Sequence, residues 1–124
     1  MPDAKELLRS NLHEVFAERE PERRRAAIER TYTEDVTFID PEGQFVGWQA
    51  LNDQAQKLLE GQPAGFVFEE DGPAYVGTDT AALAWRVGPP GKPVARGIDI
   101  VTIRDGRLSS IHTLLTSDAA PASA

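Results

Sequence analysis

Asp105-Gly106 separates two runs of strand character, residues 95–103 and 107–115. Asp-Gly supplies two consecutive left-handed residues, the conformation that joins antiparallel strands without splaying them. The two runs are therefore expected to pair as a hairpin, and the alternation of a strand then fixes which side chains share a face. In the first run Gly97, Asp99, Val101 and Ile103 fall on one side, with Ile98, Ile100 and Thr102 on the other. Both sides are apolar, which a sheet open to water on one face does not show. One face is expected to pack on the rest of the chain, and the other to meet a second copy in an isologous homodimer. Asp99 then stands in the middle of an apolar face. Without partners it would cost several kcal/mol, so it must be hydrogen-bonded, protonated or in contact with a wet cavity.

The rest of the chain supplies what this hairpin packs against. Asp3 and Glu6 form the ends of a capping box, and Leu8, Leu12, Val15 and Phe16 follow on one helical face, so a first helix is expected to about Arg19. Pro21 suits the first turn of a second helix, with Ile28 and Tyr32 four apart. Residues 36–40 read as a short strand with Val36, Phe38 and Asp40 on one face. Trp48, Leu51, Ala55, Leu58 and Leu59 mark a third amphipathic helix, closed by Gly61. Strands are expected again at 66–70, 74–76 and 80–87. Helices first and an antiparallel meander afterwards give an α+β domain over residues 1–116, its helices on one face of a curved sheet. Residues 117–124, SDAAPASA, read as a disordered tail.

Composition removes several function classes. The net charge of −7 argues against a nucleic-acid partner. Its one basic run, Arg23-Arg24-Arg25, is interleaved with Glu20, Glu22 and Glu29 and reads as a solvated face with local ion pairs. No apolar run is long enough for a membrane span, and the first residues have no signal-peptide core, so a cytoplasmic protein is expected. Cysteine is absent, and the two histidines, His13 and His112, have no second ligand near them, so no metal site is expected.

The stretch VTFIDPEG raises the question of the second carboxylate. Asp40 before Pro41 is either the first residue of a turn or a group aimed into a cavity. The element order and the run YTEDVTFIDPEG, with Gly47, Trp48, Ala50 and Leu51 after it, resemble the nuclear transport factor 2-like superfamily, in its SnoaL-like and ketosteroid isomerase branches. The resemblance implies a cystatin-like cone, a strongly bent antiparallel sheet wrapped round a long helix with a pocket at the open end. Against ketosteroid isomerase the spacing of Tyr32, Asp35, Asp40 and Pro41 is similar, which implies Asp40 as general base. Ile98-Asp99 looks like that enzyme's second aspartate, the reference case of a carboxylic acid kept neutral by an apolar site and donating to an oxyanion. Phe16 falls where that enzyme has a donor tyrosine, and the loss of one such donor typically costs about a hundredfold or more in rate. The epoxide hydrolases similar to limonene epoxide hydrolase carry an Arg where this chain has Gly97. By family analogy Ile111 and Thr113 face inward and His112 faces the subunit interface.

The expected lining of the cone is Phe16, Phe38, Trp48, Leu51, Ala55, Leu59, Phe66 or Phe68, Leu83, Trp85, Val101 and Ile111, with Asp40 and Asp99 as its polar groups. Three readings follow: a domain that binds a hydrophobic small molecule, a cofactor-independent isomerase or cyclase with Asp40 as base and Asp99 as donor, and a dimeric interaction module with an empty cone.

Overall fold

The computed structural model describes residues 2–116, so the tail expected at 117–124 lies outside the described residues. The chain enters through α1 (Ala4–Arg9), whose capping box is complete: Asp3 accepts from the Glu6 amide at 2.9 Å, and Glu6 accepts from the Asp3 amide at 3.2 Å. The same helix then widens into a π-helical segment, Ser10–Phe16, closed by the Ala17 amide donating to the Leu12 carbonyl five residues back. The expected uniform α-helix to Arg19 is thus corrected. π segments are rare and cluster at functional sites, and here the wider turn brings Asn11, Leu12 and Val15 all to the buried side.

Helix α2 (Pro21–Thr31) starts at Glu20, whose side chain accepts from the amides of Glu22 and Arg23. Tyr32 does not continue this helix, as its spacing from Ile28 had suggested, but opens β1 (Tyr32–Asp40). Arg24 is also not a solvated residue. It is 1% exposed and ties the helices together, donating to Asn52 at 2.6 Å, to Gln56 at 2.5 Å and to the Glu18 carbonyl at 2.7 Å. Its neighbours keep the expected local pairs, Arg23 with Glu18 and Arg25 with Glu29.

After β1 a two-residue turn leads to β2 (Gly43–Val46), a strand the sequence did not reveal. Helix α3 (Trp48–Glu60) follows, and its terminal Gly61 keeps a negative φ rather than the left-handed conformation expected. The meander is β3 (Val67–Glu70), β4 (Tyr75–Val76), β5 (Thr80–Gly88), β6 (Ala95–Arg104) and β7 (Arg107–Leu115). Asp105 and Gly106 both adopt positive φ, 55° and 77°, as the hairpin requires.

The sheet runs β2-β1-β7-β6-β5-β3, with β4 alongside β5. All pairings are antiparallel except β1 with β7, which is parallel and brings the N-terminal strand into the middle of the sheet. Register shifts interrupt β1 against β7 and β7 against β6. Such bulges bend the strands and raise the local twist, which curves the sheet round the helices. The bulge at Ser109 also reverses the parity of β7, so Leu108 and Ile111 are both buried although an odd number of positions separates them. The core between sheet and helices holds Leu8, Leu12, Val15, Ile28, Leu51, Val101 and Ile111. Among the described residues no helix is long and apolar enough to cross a membrane.

Candidate functional site

The parallel pairing places the polar groups. Phe38 pairs with Ile111 and Ile39 with His112, and Asp40 and Thr113 are the residues that follow this last pair. Thr113 in turn faces Asp99 across the hairpin, and Asp99 faces Leu83. Continued by one residue, the register sets Asp40, Thr113 and Asp99 in a row across three adjacent strands. With strands about 4.8 Å apart, the backbones of the two aspartates then stand roughly 10 Å apart with Thr113 between them.

Asp99 is 6% exposed and both of its oxygens are occupied. Thr113 Oγ1 donates to Oδ1 at 2.7 Å, Trp85 Nε1 donates to Oδ1 at 3.1 Å, and Asn11 Nδ2 donates to Oδ2 at 2.9 Å. The orientation of the Asn11 amide is set from behind, because the buried Tyr32 hydroxyl donates to its Oδ1. Gly97 makes the Trp85 contact possible: the indole lies over it, and a Cβ there would come within 2.6 Å of the ring. Burial pushes the Asp99 carboxyl above the ordinary carboxylate range, while hydrogen bonds from Thr113, Trp85 and Asn11 pull it back. Burial also raises the Tyr32 phenol well above its usual value, helped by the nearby Asp99 charge.

Asp40 closes its turn and also lines the cavity. Its Oδ1 accepts from the Glu42 amide at 2.8 Å, which closes the turn, and its Oδ2 accepts from the buried Gln54 at 2.9 Å. The carboxylate nevertheless borders the same cavity as Asp99. That cavity measures about 270 Å³ and is mainly apolar; Leu12, Phe16, Phe38, Leu58, Phe68, Trp85, Val87 and Leu115 line it. Two aromatic pairs contribute to its wall, Phe16 5.0 Å from Phe38 and Phe68 6.5 Å from Trp85, centroid to centroid. Phe16 faces the cavity and offers no donor.

Of the residues expected in the lining, Phe16, Phe38, Phe68 and Trp85 reach it. Trp48, Leu51, Ala55, Leu59, Leu83, Val101 and Ile111 do not: the last six are buried, and Trp48 spends its indole N–H on the Tyr32 carbonyl at 3.1 Å. The groups that sequence reasoning passed over are Asn11, Gln54 and Gln62. Asn11 carried a usable signal, a lone amide in the stripe of Leu8, Leu12 and Val15. His13 is exposed and meets Glu70 at 3.2 Å on the outer side of the π segment. Among the described residues no cluster of side chains with metal-ligating geometry occurs.

The profile of the SnoaL-like domain family matches residues 11–111, from the asparagine that holds Asp99 to the core of β7. The chain belongs to the SnoaL-like domain family. The nuclear transport factor 2-like resemblance drawn from YTEDVTFIDPEG is borne out with it. Among solved structures, this SnoaL-like domain is similar to a candidate isomerase of the same family from Agrobacterium tumefaciens, at 25% identity and TM-score 0.82, over 90% of this chain and 95% of that one. A candidate SnoaL-like polyketide cyclase from Jannaschia is 17% identical, with TM-score 0.72 over 98% and 92% of the two chains. A protein with a cystatin-like fold from Xanthomonas campestris is 14% identical, with TM-score 0.71 over 94% and 93%. The last two speak for the fold alone, and they agree with the cystatin-like cone expected. No match is found among curated protein sequences.

Proposed function

We propose that this SnoaL-like domain binds a compact apolar small molecule in the cavity between α3, the π segment and β5–β7, with the polar end of the ligand toward the row Asp40, Thr113, Asp99. The observation that carries the reading is that both carboxylates border one apolar, aromatic-walled space. Few convergent polar groups in a greasy chamber are the usual make-up of a small-molecule site. Size narrows the ligand. A cavity of about 150 Å³ suffices for benzene, so about 270 Å³ accommodates a body of roughly two fused rings rather than a four-ring steroid. Titration with 1-indanone or indole, followed by calorimetry, is expected to give saturable binding, and Trp85→Ala to abolish it. Saturable binding that persists undiminished in Trp85→Ala, or no binding to the wild type, contradicts the reading.

A second reading is favoured by the position of Asp40, which lines the cavity beside the strands that carry Thr113 and Asp99. In that reading Asp40 removes a proton from the carbon next to a carbonyl. Isotope exchange at the α-carbon of 1-indanone is expected to be accelerated by the protein and to fall about a hundredfold or more in Asp40→Asn. The isomerase and cyclase descriptions attached to the similar structures are compatible with such chemistry.

A further inference from the structure

The cavity being the small-molecule site is the premise; the further question is which atom meets the ligand's oxygen. The expected answer was Asp99 as a direct donor, but its oxygens already accept three hydrogen bonds. Trp85 can only donate, since an indole nitrogen has no lone pair to offer. Asn11 cannot turn without depriving the buried Tyr32 hydroxyl of its acceptor. Thr113 differs. Its hydroxyl holds one hydrogen and two lone pairs, it rotates freely, and it borders the cavity.

Two arrangements of hydrogens therefore satisfy the same heavy atoms. With Asp99 ionised, Thr113 gives its hydrogen to Oδ1 and presents only lone pairs to the cavity. With a proton on Oδ1, the carboxylic O–H donates to Thr113 Oγ1, and the threonine hydrogen turns into the cavity. Oδ1 keeps a lone pair for Trp85, and Oδ2 still accepts from Asn11, so no other partner moves. We propose that Thr113 is the group that binds the ligand's oxygen or nitrogen, as an acceptor while Asp99 is ionised and as a donor while Asp99 holds a proton, so that one pocket selects N–H or O–H ligands at higher pH and carbonyl ligands at lower pH.

Burial lifts the Asp99 carboxyl toward neutrality, which brings the exchange nearer to ordinary conditions. The titratable groups that face this corner are few. Tyr32 reaches it through Asn11, and Asp40, at the end of the strand beside β7, and Glu42 line the same cavity. On the π segment, Arg9 and His13 pair with Glu70 on the far side, and on β7 His112 is exposed on the opposite face. Arg86 of β5 pairs with Glu69 and Asp71 on the outer face.

Indole, a donor with no acceptor, and 1-indanone, an acceptor with no donor, have nearly the same shape and separate the two states. Calorimetric affinities are measured across pH for the wild type, Thr113→Val and Thr113→Ser, with circular dichroism confirming that each is folded. As pH falls through the Asp99 titration, the wild type is expected to gain about tenfold for 1-indanone and to lose about as much for indole, the worth of one hydrogen bond in a dry site. Thr113→Val should flatten both profiles, and Thr113→Ser should restore the crossing. Parallel profiles in the wild type, or a crossing that survives in Thr113→Val, overturns the proposal while leaving the cavity a binding site. Failure of both probes to bind the wild type at any pH overturns the binding reading as well. Should Thr113→Val not fold, the wild-type and Thr113→Ser profiles still decide.

Discussion

Gly97 decides whether Asp99 keeps its indole donor. A methyl group at this position would meet the Leu114 carbonyl oxygen and the Trp85 ring, each at 2.6 Å, and backbone cannot give way as a side chain can. Gly97→Ala is therefore expected to lose about 1–3 kcal/mol in urea unfolding and to shift the Trp85 emission as the ring is displaced. The same packing explains why no Arg could stand here, as in the epoxide hydrolases the sequence was weighed against. Asp99 itself leaves a signature in the pH dependence of stability. Its carboxyl holds a proton more tightly in the fold than in the unfolded chain, so its contribution is fully present below the unfolded pKa and is lost as pH rises through the raised, folded one. Asp35, lowered by its hydrogen bonds from Thr33 and Arg104, and Glu14, lowered by Ser10 and Arg30, act in the opposite sense and lose theirs as pH falls. Urea unfolding of the wild type against Asp99→Ala is expected to show a difference that shifts in favour of the wild type in acid and shrinks toward neutral pH. A difference that grows with rising pH contradicts the raised carboxyl.

Among the elements, local signals were legible and long-range ones were not. The Asp3–Glu6 box, the Asp105-Gly106 turn and the alternation of residues 80–87 are encoded by neighbours in the chain, and each appears where the sequence placed it. Strand β2 was missed because Gly43-Gln44-Phe45-Val46 is too short to alternate and is held by its partner β1. The π segment was missed because its one extra residue per turn changes no residue type. Arg24 was misread since a guanidinium between two arginines resembles a solvated run; only α3, through Asn52 and Gln56, makes it a buried strut. Arg24→Met would leave those amides and the Glu18 carbonyl without their donor, and a loss of about 2–3 kcal/mol in thermal or urea unfolding is expected. A loss of only a few tenths would restore the solvated reading.

At the scale of the molecule, the family resemblance supplied what periodicity could not: a helix-lined, strongly curved sheet with one open chamber. Sequence alternation and the family resemblance together put Asp40, Asp99, Phe38 and Trp85 in that chamber, and all four line the cavity. Helical periodicity placed Leu51 and Ala55 there too, alternation Val101 and family analogy Ile111, since each tells the face of a residue but not its depth. The parallel β1–β7 pairing, invisible in the sequence, is what aligns Asp40, Thr113 and Asp99. Everything proposed for the site depends on those two carboxylates sharing one ligand. Carbon-detected NMR of carboxyl-labelled protein tests this most directly: saturating 1-indanone is expected to move the Asp40 and Asp99 resonances together and to leave exposed Asp35 and Asp105 in place. Movement of only one of the pair, or of neither, contradicts the account.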